Sequence, residues 1–234
     1  MRISAWSLIV LSCLCGAAFA APTDDVAAPA VTASDQEAAY EADLNQRAGK
    51  IITALKLDDA AKADRVREIL VAQYRALRGL HEARDAKLKD VPKDQKEQAA
   101  QVKAETDAAV KPLHDAFLAK LSAELTPEQV ETVKDGMTYN VVQVTYDGFC
   151  DMLPNLTDAE KAYILAQLKE AREIAMDQGS SKDKHAVFGK YKGRINNYLS
   201  KQGYDLKQAS KDWADRRKAR EAQAKQAAAT QPAN

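Results

Sequence analysis

Histidine is scarce in this chain. The three present, His81, His114 and His185, lie far apart, and none sits in an H-E-x-x-H or C-x-x-C setting. No metal site is therefore expected. Cysteine is scarcer in effect. Cys13 and Cys15 fall in an apolar N-terminal stretch, leaving Cys150 alone beyond it. An intramolecular disulfide is excluded once that stretch is gone, so folding must rest on a hydrophobic core. With no histidine near it in sequence, Cys150 reads as a buried apolar residue rather than a nucleophile. Neither charge is in excess, with 34 Lys and Arg against 34 Asp and Glu. That argues against a general nucleic-acid binder. There is no G-x-S-x-G and no G-x-x-x-x-G-K-[ST], so neither a serine triad nor a phosphate loop is expected, and no cofactor. After the N-terminus no apolar run approaches the roughly 20 residues that span a bilayer. Aromatics make up only 6% of the chain. What is abundant is Ala, Lys, Glu, Gln and Leu, a composition that favours helices.

The N-terminus reads as an export signal. Arg2 supplies a positive start, residues 3–20 are mostly apolar, and Ala18-Phe19-Ala20 forms an A-x-A site before Ala21-Pro22. A signal peptide cleaved after Ala20 is expected, and with it a periplasmic or secreted protein. Val10-Leu11-Ser12-Cys13 loosely resembles a lipoprotein box, but so few residues precede Cys13 that lipidation is the lesser reading. The expected organisation is a signal peptide at 1–20, a flexible lead at 21–33, one helical domain at 34–221 and a disordered tail at 222–234.

Within the domain the patterning predicts an all-α fold of about six or seven helices. Ser34-Asp35-Gln36-Glu37 reads as a capping box opening the first. A second helix starts near Asp58, and a third is interrupted or kinked by Pro112. Leu125-Thr126-Pro127-Glu128-Gln129 and Leu156-Thr157-Asp158-Ala159-Glu160 are two further helix starts. Between them MTYNVVQVTYDGF, 137–149, is rich in β-branched and aromatic residues, with Val142, Val144 and Tyr146 alternating with polar ones. It reads as one irregular or extended segment crossing the helices. Leu57-Asp58-Asp59-Ala60 faintly echoes Leu156-Thr157-Asp158-Ala159.

Three polar segments stand out as candidate sites. GSSKDKHAVFGKYKGRINNYL, 179–199, carries five cations and one aspartate between Lys182 and Arg194. Gly179, Gly189 and Gly193 would allow close approach of backbone to a ligand or helix. Lys182, Lys190, Lys192 and Arg194 suit acidic groups, Tyr191 and Tyr198 offer stacking faces, and Asn197 offers an amide. The second segment, 74–85, centres on His81-Glu82-Ala83-Arg84-Asp85, where Asp85, four residues on, is placed to orient the imidazole and Tyr74 and Arg78 fall on roughly the same face as His81. The third is 134–147, which contributes Tyr139. An acid/base site is the alternative use of these groups. His81 or His185 would be the base, Tyr191 or Tyr139 the acid and Arg194 the neutraliser of a substrate carboxylate. That requires His81 and Arg194 to converge on one centre.

Two family resemblances follow from longer stretches. VKDGMTYNVVQVTYDGFCDMLPNLT and EAREIAMDQGSSKDKHAVFGKYKGRINNYLSKQGYDL, with QYRALRGLHEARD, resemble a family of exported bacterial proteins of unknown function. That family is associated with polysaccharide-degrading bacteria. The likeness spans about 40 to 213 and implies a glycan-use context without assigning catalytic residues. Leu125-Thr126-Pro127-Glu128-Gln129 resembles the L-T-x-x-Q motif of periplasmic helical chaperones, and 156–160 is similar but ends in Glu. The resulting expectation is an exported accessory protein that binds a polar or anionic glycan, or another polar small molecule. A uronate-active lyase or hydrolase and a chaperone are the alternatives. The oligomeric state stays open.

Overall fold

Helix-start chemistry and apolar spacing account for most of the architecture. The computed structural model describes residues 32–230, so the expected signal peptide and most of the lead lie outside the described residues. Eight helices follow in order: α1 (Ala33–Leu55), α2 (Ala60–Lys89), α3 (Lys96–Glu124), α4 (Pro127–Met137), α5 (Val141–Met152), α6 (Asp158–Ala175), α7 (Ser181–Lys201) and α8 (Leu206–Thr230). The described residues hold no strand, as an all-α chain requires.

Thr126 and Thr157 cap α4 and α6 with nearly the same geometry. Each hydroxyl accepts the amide three residues on, and Gln129 and Glu160 reach back to the cap amides. The first helix starts two residues earlier than expected, because Thr32 and Asp35 form its capping box in place of Ser34 and Glu37. The faint echo between the α2 and α6 starts is out of phase by one residue. Asp59 caps α2, whereas the residue aligned with Thr157 is Asp58. Pro112 sits inside α3, which runs on to Glu124 without interruption. Helix α8 extends to Thr230 and ties back to α5 through Asp151, which accepts from Trp213 and Arg220.

The segment expected to be extended is instead α5. Val142, Phe149 and Leu153 are buried, and Tyr146 packs beside them. Their spacing of four, three and four residues is helical. Val144, which a strand reading places with Val142 and Tyr146, is 65% exposed. Burial on a helical period has outweighed the β-propensity of the individual residues. The irregular part is confined to the turn before α5, where Tyr139 and Asn140 both adopt positive φ.

The apolar residues gather into two clusters. One draws on α1, α2, α3 and α4 around Leu44, Leu70, Leu121 and Val133. The other draws on α5, α6 and α7 around Ile164, Leu168, Phe188 and Ile195, with α8 against its edge. Met176, which caps α6, belongs to the first cluster although the rest of α6 packs in the second. Arg172, one turn earlier and only 2% exposed, reaches across to α4. Its guanidinium donates to Asp135 at 2.7 Å and to Glu131 at 2.6 Å. Burial works to lower its pKa, but the hydrogen bonds it donates to Glu131 and Asp135 more than offset this, and the pKa is raised. The ion pair thus ties α6, packed in the second cluster, to α4 of the first.

Arg172→Ala removes the cation and leaves both acids facing a cavity. Breaking a buried pair costs about 3–5 kcal/mol, and because Asp135 and Glu131 are part-exposed, the lower end, about 3 kcal/mol, is expected. Urea unfolding checks this as a drop in midpoint at unchanged slope. A loss below about 1 kcal/mol would mean the seam does not rest on this pair.

Candidate functional site

A lysine on an apolar stripe marks the site. Helix α7 buries Lys184, Phe188, Tyr191, Ile195 and Leu199, spaced four, three, four and four residues apart. Four of these belong in a core; the fifth is a cation, 5% exposed. Its ammonium donates to the carbonyls of Met137 at 2.9 Å and Met176 at 3.4 Å. An ammonium has three donors, so these two bonds leave one. The rings of Tyr74 and Tyr139 lie about 6 Å away, at 5.9 and 6.0 Å. Burial lowers the Lys184 pKa to about 8; nearby Arg47 pushes the same way and Asp177 opposes.

Lys184 forms a wall between two adjoining cavities. The first, of about 170 Å³, is lined by Arg47, Lys50, Tyr74, Tyr139 and Lys184, with apolar Ile51, Ala54 and Met137. The second, of about 80 Å³, is lined by Tyr40, Arg47, Tyr74, Arg78 and Lys184, with residues 178–181 leading into α7. No carboxylate lines either one. Tyr74 is half-buried between them, and burial pushes its phenol well above the usual value. Tyr139 is 48% exposed and held at φ 59. A positive φ is strained for an aromatic residue. Backbone bonds on either side hold the turn: Asn140 to Asp135 at 2.8 Å, and Val141 to Thr138 at 3.2 Å. Tyr139 also stacks on His185 at 5.9 Å, 22° from parallel.

Two glycines bring the walls close. A methyl group on Gly136 would meet Ile51 Cγ1 at 2.7 Å, and one on Gly179 would meet the His81 ring at 2.9 Å. His81 itself is buried and structural. Its Nε2 bonds the Asp177 carbonyl at 2.7 Å, and its Nδ1 meets Arg84 at 2.9 Å. A carbonyl only accepts and a guanidinium only donates, so the ring proton sits on Nε2 and the Nδ1 lone pair is taken. Asp85 does not orient this imidazole, because it pairs with Arg84 at 2.8 Å. On the far side of the same turn, His114 Nδ1 bonds the Asp177 carboxylate at 2.7 Å. That bond raises the His114 pKa against the opposing effect of burial.

The three polar segments therefore do meet, but through their near ends. Tyr74 and Arg78 come from 74–85, Gly136 and Tyr139 from 134–147, and Gly179, Ser180, Ser181 and Lys184 from the basic segment. The rest of the basic segment stays outside. None of Lys182, Lys190, Tyr191, Lys192, Arg194, Asn197 or Tyr198 lines either cavity. Tyr191 is buried with its hydroxyl donating to Glu170 at 2.7 Å, and Arg194 lies over its ring. Tyr198 stacks on Tyr163 at 3.9 Å. Both tyrosines expected to meet a ligand instead pack within the protein. His185 is exposed, with Nδ1 at 2.7 Å from the Ser181 carbonyl. Lys182, Lys190, Lys192 and Asn197 are exposed on α7. Arg194 lies thirteen residues beyond the α7 start, about 20 Å along the axis at 1.5 Å per residue. His81 packs against Gly179 beside that start, so His81 and Arg194 do not form one acid/base centre.

Arg47 and Lys50 were missed because α1 reads as ordinary amphipathic helix. Lys184 falls on the buried stripe because α7 begins at Ser181, ahead of the loop end at about Lys184 that the sequence suggests. The fold and groove together describe an all-α chain with a cationic, tyrosine-lined groove across its first, second, fourth and seventh helices. Residues 41–219 match the protein family of unknown function DUF3826, and the chain belongs to that family. No curated protein matches the chain.

Gly189 and Gly193, expected to mark close approach, meet nothing within 4 Å when a methyl group is added. Each lies in the interior of α7. Gly189→Ala and Gly193→Ala should each raise stability by about 0.5–1 kcal/mol, seen as a higher urea midpoint. A loss of stability would show that these positions are packed after all.

Proposed function

We propose that this chain is an exported accessory protein that binds an acidic sugar of the uronate class in the groove beside Lys184. The observation carrying this reading is the first cavity's lining, where Arg47, Lys50 and Lys184 converge with no carboxylate among them. A single anionic group there gains charge-assisted hydrogen bonds, including the spare donor of Lys184. The volume, about 170 Å³, is small beside the several hundred typical of drug-sized ligands, and suits one ring. Tyr139, held out in a strained conformation, supplies a flat face for the C–H side of that ring. The apolar N-terminus ending in Ala18-Phe19-Ala20 supports export. Family resemblance supports the polysaccharide context.

Binding is favoured over turnover by the hydrogen bonding of the candidate bases. Both His81 ring nitrogens are engaged, and two carbonyls hold the Lys184 ammonium. A chaperone of the L-T-x-x-Q kind needs a broad exposed apolar face. The large exposed apolar side chains among the described residues are Tyr139, Val144 and Ile174, on three different elements. Both L-T starts are accounted for as capping boxes.

Titration calorimetry with galacturonate and with galactose tests the reading. Galacturonate should bind, galactose at least about tenfold more weakly. Lys50→Glu and Tyr139→Ala, both exposed positions, should each weaken uronate binding by about fivefold or more. Absence of uronate binding, equal affinity for the neutral sugar, or binding untouched in Lys50→Glu would sink it.

Affinity should also depend on pH. The uronate carboxylate stays ionised above pH 5, while Lys184 loses its proton near 8. The anion prefers the ammonium, so binding takes up a proton above that point. Affinity is expected to be flat from pH 6 to 7 and to fall as pH rises through 8 to 9.5. A flat profile across that range would exclude Lys184 as the contact.

A further inference from the structure

The second cavity has no role in holding one ring, yet its lining repeats the chemistry of the first. Arg47, Tyr74 and Lys184 belong to both, so the cavities adjoin across these side chains. What the second adds is Arg78, Tyr40 and the Ser180 and Ser181 hydroxyls, again with no carboxylate in the lining. Arg78 is fixed there. Its guanidinium lies 3.8 Å over the Tyr40 ring, with Glu82 at 2.6 Å and Glu37 at 3.3 Å. Those two glutamates come from α1 and α2 outside the lining, and they moderate the positive field without filling the cavity. Its volume, about 80 Å³, is too small for a second ring to be enclosed, but it admits an acidic substituent. Residues 178–181 line one side of it, next to the exposed start of α7.

We infer that the groove reads two acidic groups on one ligand, the first beside Lys50 and Lys184 and the second beside Arg78 across the Lys184 wall. This rests on the uronate reading above and names its preferred class: an oligouronate with acids on neighbouring residues, in preference to a lone uronate. Charge complementarity in two linked cavities makes the second contact intramolecular once the first is formed. A neutral or esterified neighbour gains no charge-assisted contact from Arg78, whose guanidinium stays with Glu82 and Glu37. Discrimination of this kind comes from the added contact to the second acid.

Calorimetry with three ligands tests it: galacturonate, digalacturonate, and digalacturonate with one carboxylate as its methyl ester. Digalacturonate should bind at least about tenfold tighter than either of the others. In Arg78→Gln, an exposed-rim substitution that leaves both cores intact, the ratio of digalacturonate to half-ester affinity should fall to about twofold or less. Equal affinity of digalacturonate and its half-ester overturns the inference, as does a full tenfold preference that persists in Arg78→Gln. Binding of galacturonate with no gain from the second acid overturns this inference alone. Failure of all three ligands to bind overturns it together with the uronate reading.

Discussion

The turn from Met176 to Ser180 is where the two hydrophobic clusters meet, and three helices grip it by polar side chains. His81 of α2 holds the Asp177 carbonyl, His114 of α3 holds its carboxylate, and Lys184 of α7 holds the Met176 carbonyl. One helical turn earlier Arg172 pins α6 to α4. A helix end that leaves one core and enters another must satisfy its last carbonyls without further helix. Here the carbonyl of Met176 and that of Asp177 are met by a lysine and a histidine from other elements. The seam between the clusters is therefore polar by necessity, and its polar groups are directional. That fixes the relative placement of the halves more sharply than apolar contact alone.

The groove is a by-product of the same constraint. Lys184 is drawn into the interior to reach two carbonyls, which brings a cation against Tyr74 and the Tyr139 turn. The α4–α5 turn turns back sharply through two left-handed residues, and this leaves Tyr139 facing out over the cavity. Gly136 and Gly179 keep α4 and the α6–α7 turn close to Ile51 and His81. The site is thus built from groups whose first job is to close the seam. Substitutions aimed at function should spare Lys184, His81 and Gly179 and work on Lys50, Arg78 and Tyr139, whose side chains reach the cavities from the outer walls.

Sequence patterning read the helical class, both L-T capping boxes and most buried stripes, since these depend on residues within four or five positions of each other. It misread 137–149, because β-propensity and a two-residue alternation were visible while the burial that selects a helical period was not. Val144 is the residue on which the two readings differ, and it faces solvent. It also left open which α7 side chains are taken up by packing. Tyr191 and Tyr198 look free in a basic stretch, but Glu170 and Tyr163, from α6, claim them. Partners twenty or more residues away leave no local trace.

What the sequence alone determined about this protein is its helical nature and where most of its helices begin. These follow from backbone capping and from the 3.6-residue period, both local. Only the tertiary structure decided which cations meet. Arg47 and Lys50 on α1, Arg78 on α2 and Lys184 on α7 are separated by up to 137 positions, yet they line two adjoining cavities free of acids. Long-range packing sets that convergence, and charge counted along the chain, balanced overall, gives no sign of it.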